Sequence, residues 1–203
     1  MTAHEELDID SKAKGLIFDL DGTIADTMPI HYIAWRNAAA RYGIDLSAKL
    51  FMQLAGIPLY ATVEKLNSLF GTSVNPQEMG NAKELEYERN MHRAKPIDPV
   101  VNLIKRYHRK LPMAVGTGGL RRLAWKTLVL MDLDHYFEVL VSSEDVTKFK
   151  PHPETFLRCA EQIGVEPSAC QVFEDGVLGI RAARTAGMMV ADVTRYYRVT
   201  VGV

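Results

Sequence analysis

Five short apolar runs, each closed by small or charged residues, constrain the fold of this 203-residue chain more than any other feature. They are "GLIFD", "LPMAVGTG", "YFEVLVSSED", "CQVFEDG" and "GMMVADV". The stretches "LRRLAWKTLVLMDL", "PETFLRCAEQIG" and "GIRAARTAG" lie between or beside them and carry helical spacing. Alternation of this kind predicts an α/β chain built on a Rossmann-like parallel sheet, with helices on both faces. Gly164 and Gly187 stand where the last two helices should stop.

One segment breaks the alternation. From Thr27 to Lys95 the pattern is helical throughout: "HYIAWRNAAARYGI", "LFMQLAGIPLYATVEKLNSLFG" and "PQEMGNAKELEYERNMHR". The first should end at Gly43 and the second near Gly71. So much helix exceeds what one crossover between parallel strands needs. We therefore expect a helical cap at 27–96, inserted into a sheet domain made of 11–26 and 97–203. The polar, acidic "MTAHEELDID" should form a mobile tail over 1–10.

Composition narrows the function classes. A net charge of −1 offers no basic field for nucleic acid, and no apolar run is long enough to span a bilayer. The start of the chain lacks the features of a signal peptide. Two cysteines, Cys159 and Cys170, make no disulfide framework and suit a reducing, cytoplasmic setting. Both should fill core space. The expected partner is a small molecule met by a monomer, with neither nucleic acid nor membrane involved.

The polar groups fall where ligands bind in open α/β sheets, beyond the carboxyl ends of strands. "LIFDLDGT" finishes an apolar run with Asp19 and Asp21, which share a face if the chain stays extended. Two anions so placed need compensation. Thr117 follows the second run in "VGTGG", where Gly118 and its neighbours let main-chain N–H groups approach an anion. Lys148 and Lys150 precede Pro151, expected to open a helix, and Glu174 and Asp175 close the fourth run. Asp19, Asp21 and Asp175, with Glu174, offer the hard oxygens that Mg²⁺ prefers. Thr117, the glycine backbone and one lysine offer donors and charge to a phosphoryl group. Each cluster alone is weak. Their joint occurrence at successive strand ends points to Mg²⁺ and a phosphorylated metabolite.

These residues resemble the haloacid dehalogenase superfamily of phosphohydrolases over nearly the whole chain. Its D-x-D-G-T motif is matched by Asp19-Leu20-Asp21-Gly22-Thr23, followed in order by Thr117, Lys150 before proline, and the Glu174–Asp175 pair. The helical insertion is similar to that of the β-phosphoglucomutase-like subgroup. "DTMPIHYIAW", "PMAVGTG" and "VFEDGVLGIRAARTAGM" are similar to bacterial fructose-1-phosphate phosphatases in particular. The resemblance implies that Asp19 attacks phosphorus and forms an aspartyl-phosphate, and that Asp21 serves as acid and base. It implies metal ligation by Asp19, the Asp21 carbonyl and Asp175, with Glu174 supporting. Thr117 and Lys150 would hold the phosphoryl oxygens.

Within the insertion the resemblance places His31 where β-phosphoglucomutases carry an assisting histidine, and Lys83 near their substrate-binding lysine. The alternatives are a capping or hinge histidine and a solvated surface lysine. Where that subgroup has a "G-x-S-R"-like stretch gripping a second phosphate, this chain has "AGIPLY", with Pro58 and Leu59 in place of Ser and Arg. Phosphatase is therefore expected over mutase. A phospho-accepting receiver module shares the aspartates, the hydroxyl and the lysine, but has neither the helical insertion nor the later acidic pair.

Overall fold

The structure, a computed structural model, describes residues 6–197. Strand β1 (Gly15–Phe18) opens the sheet. Two short strands, β2 (Ala25–Asp26) and β3 (Lys95–Pro96), pair antiparallel where the chain leaves the sheet unit and returns to it. β4 (Met113–Gly116), β5 (Val139–Val141), β6 (Cys170–Glu174) and β7 (Met189–Asp192) complete a five-stranded sheet. Its order is β5-β4-β1-β6-β7, with every pairing parallel. The chain divides into two compact units. One holds the sheet, running up to Asp26 and resuming at Lys95; the other is Thr27–Ala94.

In the sheet unit, four α-helices supply the two covering layers: α5 (Asp98–Tyr107), α6 (Arg121–Leu130), α7 (Glu154–Gln162) and α8 (Val177–Thr185). All four residues of β1 are buried, as a central parallel strand requires. Leu16 and Phe18 join Leu103 and Ile104 of α5 and Leu128 of α6, and the Phe18 ring stacks on Phe173 at 4.8 Å. Ile17 faces the opposite layer, with Phe156 and Cys159 of α7 and Ala182 and Ala183 of α8. Cys159 and Cys170 are both buried and unbridged, and burial pushes each thiol's pKa up.

The other unit is helical: α1 (Met28–Ala40), α2 (Ala48–Leu54), α3 (Leu59–Phe70) and α4 (Pro76–Asn90). Its core gathers Trp35, Ala38, Ala39, Phe51, Val63, Leu66 and Met79. Gly71 ends α3 in the left-handed region at φ 67°, and the Asn75 side chain caps α4 by accepting from the Gln77 and Glu78 N–H groups.

Several expectations need correction. The stretch 50–71 is two helices, because Pro58 lacks an N–H and restricts Ile57 before it. Pro151 lies ahead of its helix, which starts at Glu154. Residues 6–10 are not a loose tail. Leu7 is 3% exposed in the sheet unit's core, Asp8 accepts from the Tyr107 hydroxyl at 2.8 Å, and the Asp10 N–H donates to Gln171 Oε1 at 2.6 Å. Leu7, with Ile9 packed half-buried beside it, docks the segment among its acids. Residues 1–5 of the expected tail lie outside the described residues. Among the described residues, no helix is long and apolar enough to cross a membrane.

Candidate active site

Strand β1 stops at Phe18, one residue before the first aspartate. The Asp19 N–H still donates to the Phe173 carbonyl at 3.0 Å, so its backbone is fixed by the neighbouring strand. The chain then turns. The N–H groups of Ile24 and Ala25 both reach the Leu20 carbonyl at 3.0 Å, and Gly22 N–H reaches the Ala25 carbonyl at 2.8 Å. The extended geometry expected through Asp21 therefore ends at Asp19, and the turn rather than strand alternation places Asp21. Gly22 has φ +89°, and a β-carbon there would lie 2.4 Å from Asp175 Oδ2, so only glycine fits.

β6 lies beside β1, so its end delivers Glu174 and Asp175 against Asp19. One carboxylate oxygen from each of Asp19, Glu174 and Asp175 lies within 4.8 Å of the other two. Lys150 comes from the loop before α7. Its ammonium donates to Asp19 Oδ1 at 2.6 Å, Glu174 Oε2 at 2.8 Å and the Gly116 carbonyl at 3.2 Å, which matches its three N–H donors. It also stands 4.5 Å from the centre of the Phe156 ring. Lys148 is exposed, and its backbone N–H donates to Glu154.

The electrostatics follow from burial and crowding. Burial first, then the Glu174 charge, raise the Asp19 carboxyl well above the usual carboxylate range, against the pull of Lys150. Burial and Glu174 likewise push Asp175 up to about 7. Burial alone would lower the Lys150 pKa, but Asp19 and Glu174 hold it above its ordinary value. One ammonium cannot offset this many carboxylates, and the donor set is entirely oxygen. The cluster therefore fits a hard divalent cation.

The other core residues converge on the same strand ends. Thr117 is 1% exposed and follows β4, its N–H donating to the Val141 carbonyl at 2.9 Å. A β-carbon on Gly119 would lie 3.4 Å from Thr117 Oγ1 and 3.7 Å from Asp21 Oδ2, so the hydroxyl and that carboxylate flank one glycine. At Gly118 a β-carbon would meet nothing within 4 Å, leaving its main chain open to a ligand.

Two residues contribute beyond what the sequence assigns them: Thr23, which stands in the D-x-D-G-T motif without a role of its own, and Gly179. Buried Thr23 donates its hydroxyl to Asp175 Oδ1 at 2.9 Å and so orients that carboxylate. Gly179, inside α8, makes room for Glu174, whose Oε2 would lie 2.1 Å from a β-carbon there. A glycine in a helix interior is unfavourable, and "GVLGIRAAR" carried that signal.

His31 and Lys83 belong to the helical unit. The His31 ring stacks on Tyr87 at 4.2 Å, and Lys83 Nζ lies 5.3 Å from the Tyr87 ring centre and 5.8 Å from that of Trp35. Lys83 is 5% exposed and pairs with Glu84 at 2.9 Å, so the alternative of a solvated surface lysine fails. Aromatic faces and one carboxylate replace its water.

A family model described as haloacid dehalogenase-like hydrolase matches residues 16–193. The fructose-1-phosphate phosphatase YqaB of Escherichia coli (strain K12) is 40% identical over 181 residues, 88% of this chain and 95% of that protein. The β-phosphoglucomutase of Bacillus subtilis (strain 168) is 29% identical over 188 residues, 89% of this chain and 83% of that one. The crystal structure of β-phosphoglucomutase from Clostridium difficile has the same fold, with a TM-score of 0.80 at 24% identity, covering 92% and 93% of the two chains.

Proposed function

Since the chain belongs to the haloacid dehalogenase-like hydrolase family and is a phosphatase, we propose that it hydrolyses a small sugar monophosphate through an aspartyl-phosphate on Asp19. The observation that carries this reading is the Lys150 ammonium at 2.6 Å from Asp19, beside the clustered oxygens of Asp19, Glu174 and Asp175. A carboxylate can approach a phosphate dianion only where positive charge is gathered around both.

An Asp19 carboxylate oxygen attacks phosphorus in line with the sugar oxygen. The bond to phosphorus forms as the phosphorus–sugar oxygen bond breaks. Asp21 gives its proton to the departing sugar oxygen and later takes one from the water that hydrolyses the acyl-phosphate, restoring Asp19 and releasing phosphate. Thr117 and the open main chain at Gly118 donate to the equatorial oxygens, and Lys150 bridges nucleophile and phosphoryl group. Asp19, the Asp21 carbonyl and Asp175, with Glu174 supporting, would hold Mg²⁺, which supplies charge against the phosphate. Glu174 suits the supporting place, since its two oxygens accept from Lys150 at 2.8 Å and Gly176 N–H at 3.0 Å. His31 and Lys83 would contact the sugar.

The direct test is phosphate release from a panel of sugar monophosphates, including fructose 1-phosphate, with Mg²⁺ and with EDTA. Turnover that EDTA silences and Mg²⁺ restores is expected; full activity in EDTA overturns the metal assignment. The mutase reading is kept by the named β-phosphoglucomutase relative. Against it, Pro58 caps α3 and Leu59 packs on the helical core, where that subgroup places a cation. Losing a charge-assisted contact of roughly 1.5–3 kcal/mol should prevent a bisphosphate from being held. Incubation with β-glucose 1-phosphate and catalytic bisphosphate should yield free phosphate. Faster accumulation of glucose 6-phosphate would establish a mutase.

A further inference from the structure

Thr117 and Gly118 sit in a loop with almost nothing of its own to hold it. Gly118 and Gly119 have no side chains, and glycine pairs are the least ordered of backbones. α6, which follows, starts without a side-chain cap. Yet groups that hold a transferring phosphoryl must be fixed before substrate arrives.

The order comes from the turn after the neighbouring strand, Ser142 and the 3-10 turn Ser143–Asp145. Ser143 donates twice to the Gly119 carbonyl, from its N–H at 3.0 Å and its hydroxyl at 3.1 Å. Gly119 N–H in turn donates to Thr117 Oγ1 at 3.0 Å. The threonine oxygen thus accepts from the loop, and its own proton is left to be donated elsewhere. The next two residues of the turn secure α6. Glu144 Oε2 accepts the Arg121 N–H at 2.7 Å, and Asp145 pairs with the Arg121 guanidinium. Asp145 is itself fixed by the N–H and hydroxyl of Ser142, each at 2.7 Å. Against the effect of burial, these donors hold the Asp145 pKa down at about 2.

We propose that this turn is the positioning element of the phosphoryl-holding loop, and that Ser143 is the residue which, through Gly119, aims the Thr117 hydroxyl. The inference rests on the phosphatase reading for what Thr117 holds, but the bracing itself does not depend on it.

Ser143→Ala removes one of the two bonds to Gly119 and leaves the main-chain one. We expect kcat to fall about tenfold with KM changed less than about twofold, and Ser143→Thr to recover most of the loss. In a Thr117→Ala background the same change should cost less than about twofold, because the hydroxyl it aims is gone. Amide exchange at Gly119, followed by NMR in the metal-free protein, should be faster in Ser143→Ala. Asp145→Asn, which loosens the turn from its other side, should accelerate it too and serves if Ser143→Ala does not fold. Equal losses in both backgrounds overturn the aiming of Thr117, and unchanged Gly119 exchange in both variants overturns the bracing. If the wild type releases no phosphate from any monoester, the phosphatase reading falls instead, and the exchange rates still decide the bracing.

Discussion

Each unit of this molecule buries one lysine, and the two are held by different means. Lys150, in the sheet unit, has an 11% exposed side chain and gives each N–H to an oxygen, two of them carboxylate. Lys83, in the helical unit, has a 6% exposed side chain and leans on one carboxylate from the next residue and two aromatic faces. Lysines are rarely this buried without a partner. The difference lies in the surrounding charge. Around Lys150 carboxylates outnumber the ammonium, so the cluster is incomplete without further cations. Lys83 pairs with Glu84, and the rings favour its cation without demanding another. The first arrangement suits chemistry on a phosphate.

The largest effect should come from removing the carboxylate nearest Lys150. Asp19→Asn keeps the shape and the fold but cannot carry the phosphoryl group, and turnover should fall by roughly 10⁴-fold or more. Near-normal phosphate release by this variant would end the nucleophile assignment. Next, the lysines themselves can be exchanged for a neutral chain. Lys150→Met should lower kcat by about 10²–10³-fold. Lys83→Met should instead raise KM roughly tenfold with kcat little changed, and cost about 1–3 kcal/mol in urea unfolding by leaving Glu84 without its cation. Steady-state kinetics in which the two variants swap signatures would break the comparison.

A smaller effect sharpens the claim of incomplete charge at Lys150. Thr23→Val removes the hydroxyl that orients Asp175. Mg²⁺ affinity, measured by calorimetry, should weaken about tenfold. No change would mean that Asp175 needs no orienting partner.

The smallest concerns the loop leading into Lys150. Glu154 accepts from the backbone N–H groups of Thr147 and Lys148, and from Arg158, and its pKa is lowered to about 2. A depressed folded pKa contributes stability that is complete above the unfolded value, about 4.5. That contribution is lost as pH falls through about 2. Glu154→Ala should therefore melt below the wild type near neutral pH, and the gap should close as pH is lowered to about 2. A gap independent of pH would show that the carboxylate charge contributes nothing.

Legibility in the sequence followed the range of the interaction. All five strands of the sheet announce themselves as apolar runs: β1, β4 and β6 are buried throughout, and the edge strands β5 and β7 keep the pattern although β7 is only half-buried. β2 and β3 do not, because two residues carry no periodicity. α5 was passed over although Val100, Val101, Leu103 and Ile104 supply its buried face. The docked segment 6–10 is hard to read from sequence because two apolar residues, Leu7 and Ile9, alternating with acids look like solvent-exposed chain. At the site, Asp19, Thr117 and the Glu174–Asp175 pair could be named from their places at strand ends. Thr23 is legible only as a motif residue and Gly179 not at all, because the first matters through a contact with Asp175, 152 positions away, and the second through the room it leaves for the Glu174 side chain.

By itself, then, the sequence determined the alternation, the parallel sheet and the order in which carboxylates, hydroxyl and lysine reach its carboxyl edge, because each depends on neighbours a few residues apart. The family motif marks Lys150 by the proline after it, but only the tertiary structure decided what that lysine meets, an Asp19 carboxylate 131 residues away at 2.6 Å. It also decided that Asp21 is placed by a turn, that Lys83 is buried, and that the glycine loop after β4 is braced by the turn after β5. Lys83 and the braced loop depend on which segments the fold lays side by side, and that is a property of the folded chain rather than of any local stretch of it.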